Sequence, residues 1–390
     1  MQRIAIITVS HSEASTCLAL HLAKLPDVKV DFYYFETVRH GTGKYTGFQF
    51  WRAPKKIGIS KLETFEIPEI TELAKNDPIN FYVIRVYGLP HFLKFVDYWM
   101  LYFYACQISW KHYDAINLCG QQNWVMPLHN GLKKSNLIHS FHEIGNHMTC
   151  EYGTPVTKQA IVDNCKVVLF SDSIYKQYCS FLGVKKEMVA MIPFGKFETT
   201  LIYAKDIDMK LPFDSSKPLL LFFGLIRPYK GLDLLANAID KLKDRLNEFN
   251  IVIAGKGNSE YLQYFRRLPN CHVINRRLSN DELVFLNKQA TAVVLPYHSA
   301  SQSGIIPTTF LFGNPVIATK VGSFVDNIKD GFDGILVEPD NPQDLADAII
   351  RLMTDRALEE HLREGVRAFG KGDKYDWDLI AKSSYDFFLK

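Results

Sequence analysis

PLLLFFGLIRPYKG, residues 218–231, decides how this chain is read. The apolar run 219–223 has no polar alternation, so both of its faces must be covered, as in a parallel sheet layered between helices. Gly224 ends the run, a turn carrying Arg227 and Lys230 follows, and DLLANAIDKL (233–242) then has helical spacing. The same strand–turn–helix unit recurs outward in both directions. Toward the C-terminus lie NIVIAG (250–255), CHVIN (271–275), TAVVLP (291–296) and PVIAT (315–319). Toward the N-terminus lie VAMIP (189–193), KVVLF (166–170), LIHSF (137–141), DAINLC (114–119), NFYVIRV (80–86), KVDFYYF (29–35) and RIAIITV (3–9). Apolar strands alternating with helices predict an α/β fold of doubly wound parallel sheets. The glycine-, proline- and charge-bearing stretch 194–217 interrupts this rhythm and reads as a link between two Rossmann-like domains, 1–200 and 201–374.

The composition fits that division. A chain of 390 residues is long enough for two cores, and 47% hydrophobic against 22% charged residues is a globular balance. The net charge of +3 gives no reason to expect nucleic acid as a partner. Seven cysteines, an odd number with scattered spacing and no C-x-x-C, argue against a disulfide framework and a cysteine zinc site. RIAIITV (3–9) stands close to the N-terminus, so no signal peptide is expected. No apolar stretch of about 18 residues occurs, so no spanning helix is expected, and a cytoplasmic location follows with peripheral contact on the inner membrane face still open.

Ligands of open α/β sheets bind beyond the carboxyl ends of the strands, often at helix N-termini. Three loops of the second domain meet that condition. GLIRPYKG (224–231) sets two cations before a helix, a pattern suited to a pyrophosphate and equally to a solvated turn. SASQSGIIPTTFLFGNPVIAT (299–319) crowds Ser301, Gln302, Ser303 and Gly304 before a helix with Pro307 in its first turn. A-G-K-G at 254–257, with Gly255, is a weak dinucleotide signal and reads more simply as a tight turn.

In order, G-x-x-R-P-x-K-G, A-G-K-G, the polar loop into F-G-N-P-V-I-A-T, and G-S-F-V-D-N-I-K-D-G-F-D-G-I-L-V-E-P-D resemble the C-terminal lobe of GT-B glycosyltransferases, nearest to glycosyltransferase family 4. The resemblance is strong over roughly 218–355 and diffuse over the first 200 residues. It implies a GT-B fold, with two Rossmann-like domains facing a central cleft. It also implies that the closing helix 375–390 packs back on the first domain. Arg227 and Lys230 fall where the family's basic pair holds the donor pyrophosphate. Gly224 and Gly255 belong to the same donor loops, with Ser301 and Ser303. Gly304 and Ile305 fall at the distal phosphate, and Arg276, in NRRLSNDEL (275–283), falls beside the nucleotide base. His142 matches a first-lobe histidine facing the donor sugar. One departure stands out: the family's two glutamates, separated by seven residues, are here Ala300 and Thr308, so the ribose contact passes to Thr308 or to another group.

In the first domain, SHSEAST (10–16) offers His11 and Ser12 to acceptor or donor, with a polar helix cap as the alternative. HSFHEIGNH (139–147) brings His142 and Glu143 to a strand end, where a histidine can steady an oxocarbenium-like charge. H-E-x-x-x-H is not the helical zinc motif, so no metal is expected there. LKFVDYWMLYFYACQISW (93–110) reads first as a core helix between sheet layers and second as a border to a membrane or lipid-linked acceptor. KYTGFQFWRAPKK (44–56) reads as an exposed loop, and Asp206 and Asp208 as solvated charge.

Together these readings give a hexosyltransferase. It would move sugar from a UDP- or GDP-linked donor to a saccharide or lipid-linked acceptor. The resemblance implies retention of configuration, and the basic pair implies independence from metals and other cofactors. Cell-surface polysaccharide or glycoconjugate synthesis is the expected setting. The alternatives are a nucleotide-sugar epimerase and a non-catalytic relative that stabilises a partner, the latter motivated by Ala300 and Thr308.

Overall fold

The computed structural model describes residues 1–390 except 11, 40–55, 63–77, 121, 143–153, 173–174, 177, 180–184, 203, 213 and 301–302. His11, Glu143, Ser301 and nearly all of the 44–56 loop therefore lie outside the described residues. The chain divides into two compact units, Met1–Tyr203 with Gly372–Lys390, and Ala204–Lys371.

Among its described residues the first unit holds an eight-stranded sheet. Its strands are β1 (Gln2–Thr8), β2 (Val28–Thr37), β3 (Gly58–Lys61), β4 (Ile79–Val86), β5 (Ala115–Cys119), β6 (Leu137–Phe141), β7 (Lys166–Leu169) and β8 (Val189–Met191). The order is β3-β4-β2-β1-β5-β6-β7-β8, parallel throughout except where the short β3 runs antiparallel to β4. Because side chains alternate across a strand, Ile4 and Ile6 enter one core while Ala5 and Ile7 enter the other. The sheet is thus covered on both faces, which is why its strands read as unbroken apolar runs. The helix Trp377–Leu389 closes one of these cores through Trp377, Ile380 and Phe388. It is pinned at both ends: the Trp377 indole donates to the Lys196 carbonyl at 2.6 Å, and the Lys166 ammonium donates to the Phe387 and Phe388 carbonyls.

In the second unit β9 (Leu219–Phe223), β10 (Asn250–Ala254), β11 (Cys271–Ile274), β12 (Ala292–Leu295), β13 (Val316–Thr319) and β14 (Gly334–Val337) form a parallel sheet in the order β11-β10-β9-β12-β13-β14. The order reverses between β9 and β12, so their carboxyl ends frame the crevice where this topology places ligands. In the first unit the corresponding reversal lies between β1 and β5.

One expectation needs correction. The helix Lys94–Ser109 is not a core helix between sheet layers. It buries only Asp97, Leu101, Ala105 and Ile108, and leaves Phe95, Trp99, Tyr102 and Phe103 exposed. Its high aromatic content suggested two covered faces, but only one narrow stripe meets the sheet. Among the described residues, no helix is long and apolar enough to cross a membrane.

Candidate functional site

The chemistry of the second unit gathers at the reversal point between β9 and β12. Gly224 closes β9 with a φ of 112°, a conformation that favours glycine. A Cβ at this position would stand 3.1 Å from Ile305 Cδ1 and 3.2 Å from the Lys230 ammonium. Gly255, at the end of β10, packs closer still, since its Cβ would lie 1.7 Å from the Gly224 carbonyl oxygen. Two glycines therefore let the strand ends close over the Lys230 ammonium and the start of the helix Ile305–Leu311.

Lys230 is the unusual residue here. It is 8% exposed and no carboxylate pairs with it among the described residues. Its ammonium donates to the Tyr297 hydroxyl at 2.7 Å and lies 4.8 Å from the centre of that ring. Burial pushes its pKa down from 10.5 to about 8. Tyr297, just beyond β12, is itself buried, and burial drives its hydroxyl well above the usual tyrosine range. The Ser303 hydroxyl also bonds to Tyr297 and partly offsets that rise. Ser303 Oγ in turn accepts from the Ile305 amide at 3.3 Å. A buried cation held by a neutral phenol is costly unless an anion completes it. Tyr297 was missed in the sequence; its signal was a hydroxyl-bearing side chain directly after the strand at the reversal point.

The other expected donor residues separate from this cluster. Arg227 is exposed and lines an open pocket of about 650 Å³ with Tyr229, Asp233, Glu260, Tyr261 and His298, whose walls do not include Lys230. His298 bridges Asp340 at 2.7 Å and Asp233 at 3.0 Å. Burial lowers its pKa, but the bonds and charges of the two carboxylates outweigh burial and leave it raised. Thr308 is buried and its hydroxyl donates to the Gly304 carbonyl at 2.7 Å, so its hydrogen is already committed. Arg276 is held bidentately by Glu282 at 2.7 and 2.6 Å. Glu282 also closes the capping box with Ser279 at the start of the helix Asn280–Gln289, so this guanidinium braces the loop. Ala300 accepts from the Ser323 amide at 3.1 Å through its backbone. Asp206 is exposed and pairs with Lys288 at 2.6 Å, in keeping with a solvated charge.

In the first unit His142 follows β6 and is 3% exposed, its ring 4.6 Å from that of Phe170 and 5.1 Å from that of Phe194. With Ser15, Asn117 and Ser140 it lines a cavity of about 20 Å³. That is room for a single water and far below the roughly 300 Å³ of a small-molecule site. Ser12 is buried at the start of the helix Ser12–Ala23, and its carbonyl accepts from the Thr16 hydroxyl at 2.7 Å. Among the described residues, His129, His139 and Cys165 form the group that could hold a metal. A hydrogen-bond chain also satisfies most of it: His129 Nε2 bonds Asp163 at 2.7 Å, and its Nδ1 lies 2.9 Å from His139 Nε2. Burial depresses His139 to about 3, with His129 adding to the effect, so its ring is neutral in this chain.

Residues 204–369 match the family glycosyl transferases group 1. An uncharacterised glycosyltransferase of Methanocaldococcus jannaschii is 27% identical over 236 residues, which are 58% of this chain and 60% of that protein. The chain thus spans less than two thirds of that relative's length. Among solved structures, sucrose-phosphate synthase of Thermosynechococcus elongatus superposes with a TM-score of 0.67 at 17% identity, covering 100% of this chain and 98% of the other. Anabaena HepE in complex with UDP-glucose gives 0.62 at 15% identity, covering 99% of both chains. These two likenesses are of fold, and the fold is GT-B.

Proposed function

We propose that the protein, whose residues 204–369 match the glycosyl transferases group 1 family, is a glycosyltransferase whose second unit binds a nucleotide-sugar donor at the reversal point between β9 and β12. The observation that carries the proposal is Lys230, a buried ammonium with a phenol for a partner and no carboxylate among the described residues. A diphosphate has the charge and acceptor oxygens to complete such a site. In transfer, the bond between the sugar's anomeric carbon and the phosphate oxygen breaks, and negative charge builds on the departing diphosphate. A preorganised ammonium in a water-poor setting stabilises that charge more in the transition state than in the ground state. Lys230 would meet this charge in place of a metal, with Arg227 on the exposed neighbouring loop outside that cluster.

UDP-glucose bound to HepE supports a UDP-linked donor, with GDP the alternative base. The Thr308 hydroxyl donates to the Gly304 carbonyl, so it can meet a ribose hydroxyl only as an acceptor. We assign retention of configuration, with the acceptor hydroxyl adding on the face the phosphate leaves and its proton passing to the departing phosphate oxygen. The acceptor, a saccharide or lipid-linked sugar of cell-surface polysaccharide or glycoconjugate synthesis, is assigned to the first unit. The test is turnover with UDP- and GDP-sugars by the wild type and Lys230→Ala. We expect turnover to fall at least a hundredfold; unchanged turnover and donor affinity would remove the assignment.

A further inference from the structure

The helix Lys94–Ser109 is apolar on two opposite faces, and only one of them is used by the fold. At about 100° per residue, Asp97, Leu101, Ala105 and Ile108 share one stripe, and these are the residues it buries. Phe95, Trp99, Phe103 and Trp110 fall within an arc of about 100° on the far side, and Phe92 lies in the short turn His91–Leu93 just before the helix. Phe92 is 75% exposed, Trp99 70% and Trp110 68%. Isolated exposed apolar residues are ordinary, but a run of aromatics along one helical stripe is a contiguous patch that marks an interaction surface.

The patch continues into a groove beside the helix Val125–Leu132. Gly131 lets the two helices touch, since a Cβ there would stand 2.5 Å from Ala105 Cβ. The groove has a volume of about 560 Å³, with Tyr98, Met126 and Pro127 among its walls and Lys133 at its rim. Its charge leans positive. From 87 to 134 the sequence carries Lys94, Lys133 and Lys134, with Lys111 turned to the Tyr33 hydroxyl, against Asp97 and Asp114, and Asp163 lies near Lys133. Asp97 is fully buried, accepting from the Tyr87 and Leu89 amides at 2.9 and 2.6 Å, and Asp114 accepts from the Arg3 amide at the start of β5. Lys94 lies 4.7 Å from the Trp124 ring centre, and Lys133 and Lys134 are exposed.

We propose that this face is a lipid-docking surface that seats the first unit on an anionic bilayer. Tryptophan and tyrosine, with an apolar body and a polar edge, suit the headgroup boundary, and the lysines complement anionic headgroups. A second copy of this chain fits less well, because a two-fold contact through this face would bring two lysine-bearing surfaces together. The proposal does not rest on the transferase reading.

The test is cosedimentation of the full chain with vesicles of phosphatidylcholine alone or mixed with phosphatidylglycerol. Binding to the mixed vesicles is expected, weakening with salt and falling at least tenfold in Trp99→Ser/Phe103→Ser. Lys133→Glu/Lys134→Glu, a pair on the exposed surface, should weaken binding as well and guards against misfolding of the aromatic variant. No binding to anionic vesicles, or binding that neither pair reduces, would overturn the proposal. So would a concentration-dependent dimer that Trp99→Ser/Phe103→Ser abolishes, which would make the face a self-association surface.

Discussion

Replacing Lys230 by methionine should make the protein more stable and less able to bind its donor. Methionine keeps an unbranched apolar chain of similar length and removes the ammonium. Burial depresses the Lys230 pKa from 10.5 to about 8, a difference worth about 3 kcal/mol against the charged form. The lost hydrogen bond to Tyr297 offsets about 1.5 kcal/mol or more of that gain, so the net at pH 7 is on the order of 1 kcal/mol in favour of the variant. The pH dependence fixes the sign. With the folded pKa below the unfolded one, the unfolded chain binds more protons between about 8 and 10.5, so wild-type stability rises with pH across that window. The advantage of Lys230→Met is therefore full below pH 8 and fades toward pH 10.5. Denaturant unfolding of both proteins at pH 7 and pH 10, with calorimetric titration of UDP and GDP, measures each part. A variant that is destabilised at pH 7, or that binds nucleotide as tightly as the wild type, refutes the reasoning.

Other outcomes follow from the same geometry. Gly255→Ala places a methyl 1.7 Å from the Gly224 carbonyl oxygen, so thermal unfolding should show a loss of at least about 3 kcal/mol or no soluble protein. His142→Phe keeps an aromatic ring against Phe170 and Phe194; a polar role in turnover predicts a fall in kcat with an unchanged melting temperature, whereas full activity would assign the ring to packing. Arg276→Ala breaks a pair with Glu282 that is exposed on the arginine side and should cost about 1 kcal/mol, leaving donor affinity within threefold; a tenfold loss in titration would place the guanidinium on the base.

Much of the architecture was legible because a doubly covered parallel strand needs a continuous apolar run. LIHSF became β6 unchanged, PLLLFFG became the shorter β9, and the bounds moved by a residue or two elsewhere. The two unread strands lacked that signature. GISK at β3 is a four-residue antiparallel edge with an exposed lysine, and GILV at β14 is partly covered at the sheet's margin. The aromatic helix misled for the opposite reason, since composition reports apolarity but not whether anything covers it. At the site, Lys230 was visible through its loop. Its burial and its Tyr297 partner were not, because they depend on β12 ending beside β9. Arg276 looked available because its engagement by Glu282 depends on the turn between them.

The central claim is that the Lys230 crevice is a nucleotide diphosphate site. Hydrogen–deuterium exchange of the full chain with and without saturating UDP, and again with GDP, tests it directly. The account predicts that one of the two nucleotides protects the 224–231 and 303–309 amides, and that Lys230→Ala abolishes this protection. Exchange unchanged in both segments with either nucleotide, or protection that survives Lys230→Ala, would contradict it.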